Sequence, residues 1–268
     1  MDRYQLKNVI ILILLLVNGF LLGSMAYRGT AARAARERSA EQLVELFAAD
    51  GMELSPAAIP DEEPPPCRIL TRDTALERSA ATNLLGGSLR HSERGGVYSY
   101  SGAGGAALFR ENGSFEAAGT LAASGGENFC RRFCRDFHYT VTSFQLDDAG
   151  SGTVTALQEY GGLTVANCAV TFLLEQDAVV SARGTLLPET SAETAGDPEL
   201  LSAQAALTAF LAMRRETGAV ASSITEMSLC YELQSSTAAP MSLTPVWHIV
   251  TDTVGYYVNC VTGAVSQY

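Results

Sequence analysis

Between Lys7 and Arg28 the chain runs from Val9 to Tyr27, nineteen residues, without a charge. As a helix at about 1.5 Å per residue this stretch is about 28 Å long, close to the ~30 Å hydrocarbon core of a bilayer. The apolar core of a secretory signal is shorter, about 7–15 residues, so the length favours a retained transmembrane helix over residues 9–27. Ser24 and Ala26, small residues two apart, also suit a signal peptidase, and cleavage there is the alternative. Gly19 and Gly23 form a G-x-x-x-G step at which a second helix can approach closely. Asn18 flanks it with an amide that seeks a hydrogen-bonding partner in hydrocarbon. These three residues are candidate partner-binding positions.

The rest of the 268-residue chain divides by composition. Residues 28–52, rich in Ala, Arg and Glu, read as a juxtamembrane helix. Its Leu43, Leu46 and Phe47 fall at helical spacing and are candidates for docking on a partner or on the first folded unit, and Gly51 suits the helix end. Residues 53–68, with PAAIPDEEPPP, read as a semi-rigid linker that is neither helix nor central strand. Then come three units of helix and antiparallel strands, 69–122, 123–190 and 191–268, an α+β class. Asp73 caps a helix from Thr74 to Leu85, which Gly86 and Gly87 end. HSERGG reads as a polar turn. A helix from Glu127 to Phe137 precedes strands near 140–146, 153–160, 163–174 and 178–186. Asp197 and Pro198 suit the start of a third helix that ends near Gly218, followed by strands near 224–233, 244–251 and 255–261.

A formal charge of −11 with only 18 Lys and Arg disfavours nucleic acid as a partner. In FCRRFCRDFH, Cys130, Cys134 and His138 are spaced i, i+4 and i+8 and could hold zinc or copper. Phe129, Phe133 and Phe137 repeat the same spacing one position earlier and mark a core face, beside which buried cysteines are ordinary packing residues. No metal or cofactor is therefore expected. SGAGGA lacks the Lys-Ser/Thr of a phosphate loop, and no G-x-S-x-G occurs. Nothing points to an enzyme or a small-molecule substrate.

Two segments carry a family resemblance. The start, MDRYQLKNVIILILLLVNGFLL, with Asn18, Phe20 and Leu21 late in the span, resembles the YycI N-terminus. The end, TPVWHIVTDTVGYYVNCVTGAVSQY, resembles the closing hairpin of YycH/YycI ectodomains and PepSY-like modules. The resemblance implies a single-pass, non-enzymatic regulator at the bacterial cell membrane, with residues 1–8 cytoplasmic and the C-terminal domain extracellular. The implied partners are a YycH-like protein and the sensor histidine kinase WalK (YycG) of a two-component system. Arg28, Arg33, Arg36 and Arg38 after the span run against that orientation on charge alone. An exported PepSY-type binding or protease-inhibitor module is the alternative.

Overall fold

The computed structural model describes Asn18, residues 38–189, 191–193, 199–236 and 239–267. The apolar run 9–27, with Gly19 and Gly23, therefore lies outside the described residues except for Asn18, which is helical and exposed. Among the described residues no helix is long and apolar enough to cross a membrane. The fold is mixed α+β, and its strands join in one large, mainly antiparallel network.

One part of that network is antiparallel throughout. It comprises β3 (Arg90–Arg94), β4 (Val97–Gly102), β5 (Gly105–Phe109), β6 (Ser114–Ala122), β7 (Tyr139–Leu146), β8 (Gly152–Tyr160), β9 (Leu163–Glu175) and β10 (Ala178–Thr185), in the spatial order β3-β4-β5-β6-β10-β9-β8-β7. Alternation sets its faces. Phe109, Phe115, Val154, Val170, Phe172 and Leu174 are buried on one side, under helices α2 (Thr74–Leu85) and α3 (Gly126–Asp136). Sheet and core thus run without a break through the boundary at residues 122 and 123. Helix α2 begins where the Asp73 carboxylate accepts the Ala75 and Leu76 N–H groups at 2.9 and 3.0 Å. It ends at Gly86, whose φ of +65° suits glycine. The glycines of SGAGGA serve packing: Gly104 N–H donates to Leu85 O at 2.8 Å, and a Cβ at Gly104 would meet that carbonyl at 2.8 Å. HSERGG is not a turn as a whole. Arg90 to Arg94 pair with β4, and only the two glycines turn. The strand is exposed along its length, so no apolar alternation announces it.

The other part is built on a long hairpin of β12 (Ser223–Ser236) and β13 (Ala239–Thr251). On the far edge of β13, β2 (Arg68–Leu70) pairs near its start and β14 (Gly255–Asn259) near its end. Beyond them lie β11 (Ser191–Glu193) and β15 (Val265–Gln267), and β1 (Glu53–Leu54) runs parallel to the start of β12. Helix α4 (Ala203–Thr217) buries Ala203, Ala206, Leu207, Phe210 and Leu211 against Trp247, Ile249, Tyr256 and Val258. The Pro-rich segment is thus tied in at both ends, by β1 and β2, and holds a 3₁₀ turn at Pro56–Ala58. The expected cap of α4 is also corrected. Asp197 and Pro198 lie outside the described residues, and Ser202 caps the helix through Ala205 N–H. Leu201 just before it is pinned to the sheet: its N–H donates to Cys260 O and its carbonyl accepts Trp247 Nε1–H, both at 2.8 Å.

The two parts meet where β9 and β12 run parallel at Val165 and Tyr231. Two residues on, Asn167 imitates a strand partner: its amide donates to Leu233 O and accepts Leu233 N–H, both at 2.8 Å. Asn167→Ala is expected to cost about 0.5–1.5 kcal/mol for each hydrogen bond lost, since Asn167 is exposed and water can take its place on both main-chain groups. Urea unfolding checks this. Two separated transitions would show the junction loosened, and an unchanged midpoint would show that Asn167 does not hold it.

Candidate functional site

Residues 38–49 form a helix, α1, that belongs to the folded domain. Leu43 and Phe47, one turn apart, point at α4. Phe47 is fully buried, and its ring stacks on Phe210 at 6.5 Å between centroids. Gly51, at φ +72°, reverses the chain so that Met52 N–H donates to Phe47 O at 2.9 Å, and the chain passes directly into β1. Met52 and Leu54 join the same core. Charge fixes the end of the helix. Arg215 grips the Asp50 carboxylate, Nε to Oδ2 at 2.6 Å and Nη2 to Oδ1 at 2.9 Å, while Arg214 donates to Asp50 O and Ala221 O. The hydrogen bonds from Arg215 hold the Asp50 carboxyl below its ordinary value. This contribution to docking is therefore complete above the ordinary carboxylate range and fades as pH falls through the lowered value.

These contacts sort the expected docking residues. Leu43 and Phe47 seat the helix on the C-terminal unit, not on the first one, because the apolar faces of α4 and β13 lie opposite them. They are covered by their own chain, whereas Leu46, 39% exposed, is open to a partner.

Cys130, Cys134 and His138 do not converge. Helix α3 ends at Asp136, and His138, at φ +57°, turns out to solvent, where Nε2 lies 3.6 Å from Glu189 Oε1. Phe129, Phe133 and Phe137 are buried with both cysteines beside them. Burial pushes the Cys130 thiol up to about 12 and the Cys134 thiol to about 11, so both are protonated at neutral pH. Among the described residues no three His, Cys, Asp or Glu side chains are placed to share a metal ion.

His138 instead lines a cleft of about 380 Å³ with Gln158, Glu159, Tyr160, Gly161, Gly162 and the strap Leu187–Pro188–Glu189. Gln158 is buried and holds the strap, accepting Leu187 N–H at 2.8 Å and donating to Phe137 O at 3.4 Å. Tyr160 hydroxyl donates to Glu189 O, and Thr140 hydroxyl to Glu159. Two carboxylates, an imidazole and a phenol give a recess suited to a polar or cationic group rather than to an anion. In the sequence His138 stands out only as a possible partner of Cys130 and Cys134, which gives no hint of this cleft. The strap contributes through long-range contacts that no local pattern signals.

No family model matches the chain, and no curated protein does. Among solved structures, an uncharacterised protein from Eubacterium rectale is 10% identical, with a TM-score of 0.41 over 81% of this chain and 85% of the other. The C-terminal domain of YpeB from Bacillus megaterium is 11% identical, with a TM-score of 0.35 over 74% and 98%. YycH from Bacillus subtilis is 13% identical, with a TM-score of 0.36 over 78% of this chain and 51% of YycH. With identities of 10–13% and TM-scores below 0.5, none of these likenesses carries an argument about partner or activity.

Proposed function

We propose that the protein is a non-enzymatic, membrane-anchored regulator of a sensor histidine kinase, with its folded domain outside the cytoplasm. The observation that supports this reading best is the docking of α1. A helix that follows an apolar run of membrane-spanning length is built into the domain core through Phe47 and Phe210 and tied at the surface by the Asp50–Arg215 pair. A plain tether needs no such joint. A joint of this kind lets events at the domain bias the tilt or rotation of the span, and a kinase helix packed at Asn18, Gly19 and Gly23 would read that bias. The resemblance of both chain ends to the YycH/YycI family points to a kinase of the WalK type and a YycH-like protein as the partners. The cleft at His138 and Glu189 supports a second reading, an exported binding module.

The test is co-purification of the full chain from membranes with a co-expressed WalK-type sensor histidine kinase. Asn18→Leu removes an intramembrane contact worth about 0.6–2 kcal/mol, and about 3- to 30-fold less kinase is then expected. Leu46→Asp should lower recovery as well without shifting the thermal midpoint. Kinase recovered equally with all three proteins would favour the binding module.

A further inference from the structure

The antiparallel sheet ends in two strands, β3 and β7, each paired on one side only among the described residues. An open strand edge offers unpaired N–H and C=O groups to any other extended chain, and charged side chains are a common guard. β3 has that guard in Arg90, Glu93 and Arg94, all exposed. β7, with the sequence YTVTSFQL, carries no charge. It is rich in the β-branched and aromatic residues that suit a strand, and its Phe144 is 37% exposed.

Two hydrogen bonds fix which groups of β7 face the open edge. Glu159 N–H donates to His138 O at 2.8 Å at one end of the ladder with β8, and Asp147 N–H to Ser151 O at 2.9 Å at the other. Bonded positions alternate along an antiparallel pair. Counting by twos from His138 gives Thr140 and Thr142, and from Asp147 it gives Gln145 and Ser143. These residues turn their main-chain groups to β8. Thr142 and Ser143 are adjacent because the register shifts between Val141 and Ser143, a bulge in which two residues oppose one. Thr142 hydroxyl also donates to Thr155 O at 3.2 Å. The main-chain groups of Tyr139, Val141, Phe144 and Leu146 therefore point away from β8, and the bulge lies at the centre of that set.

This arrangement reads the same from both ends. When an antiparallel copy sets Phe144 against Val141, Leu146 falls against Tyr139, and every outward residue of both copies is used in one two-fold register. The two bulges then face each other. Any other register sets a bulge against regular strand and leaves outward groups unmatched. No like charges meet, since Thr140 falls against Gln145 and, just beyond the strands, His138 against Asp147. Apolar side chains meet on one face. Tyr139, Val141 and Leu146 belong to or pack on the core under α3. Phe144 pairs with the buried Val154 on that face and lies under the Arg131 guanidinium of α3, 4.3 Å from the ring centroid. Helix α3 leaves room for the second copy, because Phe129 and Phe133 pack on Phe172 of β9, two strands in from the edge.

We propose that β7 pairs with β7 of a second copy of this chain about that two-fold, which joins the two antiparallel sheets edge to edge. The pairing covers Phe144, which its own chain leaves open. It does not rest on the proposed partner kinase, since it uses neither α1 nor the span.

The experiment uses the full chain in detergent over a range of concentrations. Sedimentation gives its mass, and hydrogen exchange resolved to single amides gives the interface. The mass should double as concentration rises. Over the same range the amides of Tyr139, Val141, Phe144 and Leu146 should become protected, while those of Thr140, Ser143 and Gln145, bonded to β8, are protected throughout. Phe144→Lys and Leu146→Pro should each abolish the doubling. The lysine charges the edge, and the proline removes an outward N–H without breaking a bond to β8. Ser92→Lys on β3 should leave it. The wild-type exchange needs no variant to fold. A single-chain mass at every concentration would overturn the proposal. So would a doubled mass with the outward amides still fast, the result expected of pairing through the span.

Discussion

Replacing Trp247 by alanine is expected to cost about 3–5 kcal/mol, the range for deleting a fully buried large aromatic side chain. That is a large share of the stability of most domains. The indole fills the space between β13 and α4 and is fully buried. Its Nε1–H also satisfies Leu201 O, which anchors the approach to α4. Trp247→Phe separates the two roles. It retains most of the packing but leaves the Leu201 carbonyl unpaired, at about 1–3 kcal/mol. Urea unfolding of both variants is the check. Losses below about 1 kcal/mol for Trp247→Ala would mean that the helix does not depend on this ring.

The second large effect is expected at Phe47. Phe47→Ala should cost about 3–5 kcal/mol of the docking of α1. The cost should be confined to the joint. Phe47 belongs to the core under α4, whereas residues 74–185 are organised around a different one. Limited trypsin digestion should then cleave the variant after Arg38, at the start of α1, faster than the wild type and before the remainder of the domain is attacked. Cleavage as slow as in the wild type would show the helix held by other contacts.

Legibility in the sequence followed the range of the forces involved. Asp73, Gly86 and the Phe129–Phe133–Phe137 stripe act within a few residues, and each marks its element in the chain. The alternation of Val170, Phe172 and Leu174 marks β9 in the same way. Where structure depends on distant partners, local signs mislead. Asp197-Pro198 is a good helix start in isolation, but Leu201 is captured by Trp247 and Cys260, so the helix waits for Ser202. The strand expected near 244–251 does pass through Pro245, whose missing N–H costs nothing because the neighbouring lane is broken there, between β2 and β14. The stripe Leu43, Leu46 and Phe47 was visible as apolar spacing. Which of the three face the chain's own core could not be read without α4, whose partner face lies some 160 residues away.

Hydrogen exchange of the full chain in membranes tests most directly whether α1 and the domain move as one body. The amides of residues 47–50 should open together with those of Phe210 to Arg214, and both sets should lose protection in Phe47→Ala. An α1 that exchanges at the rate of an isolated peptide while α4 stays protected would contradict the joint, and with it the route by which the domain is proposed to act on the membrane.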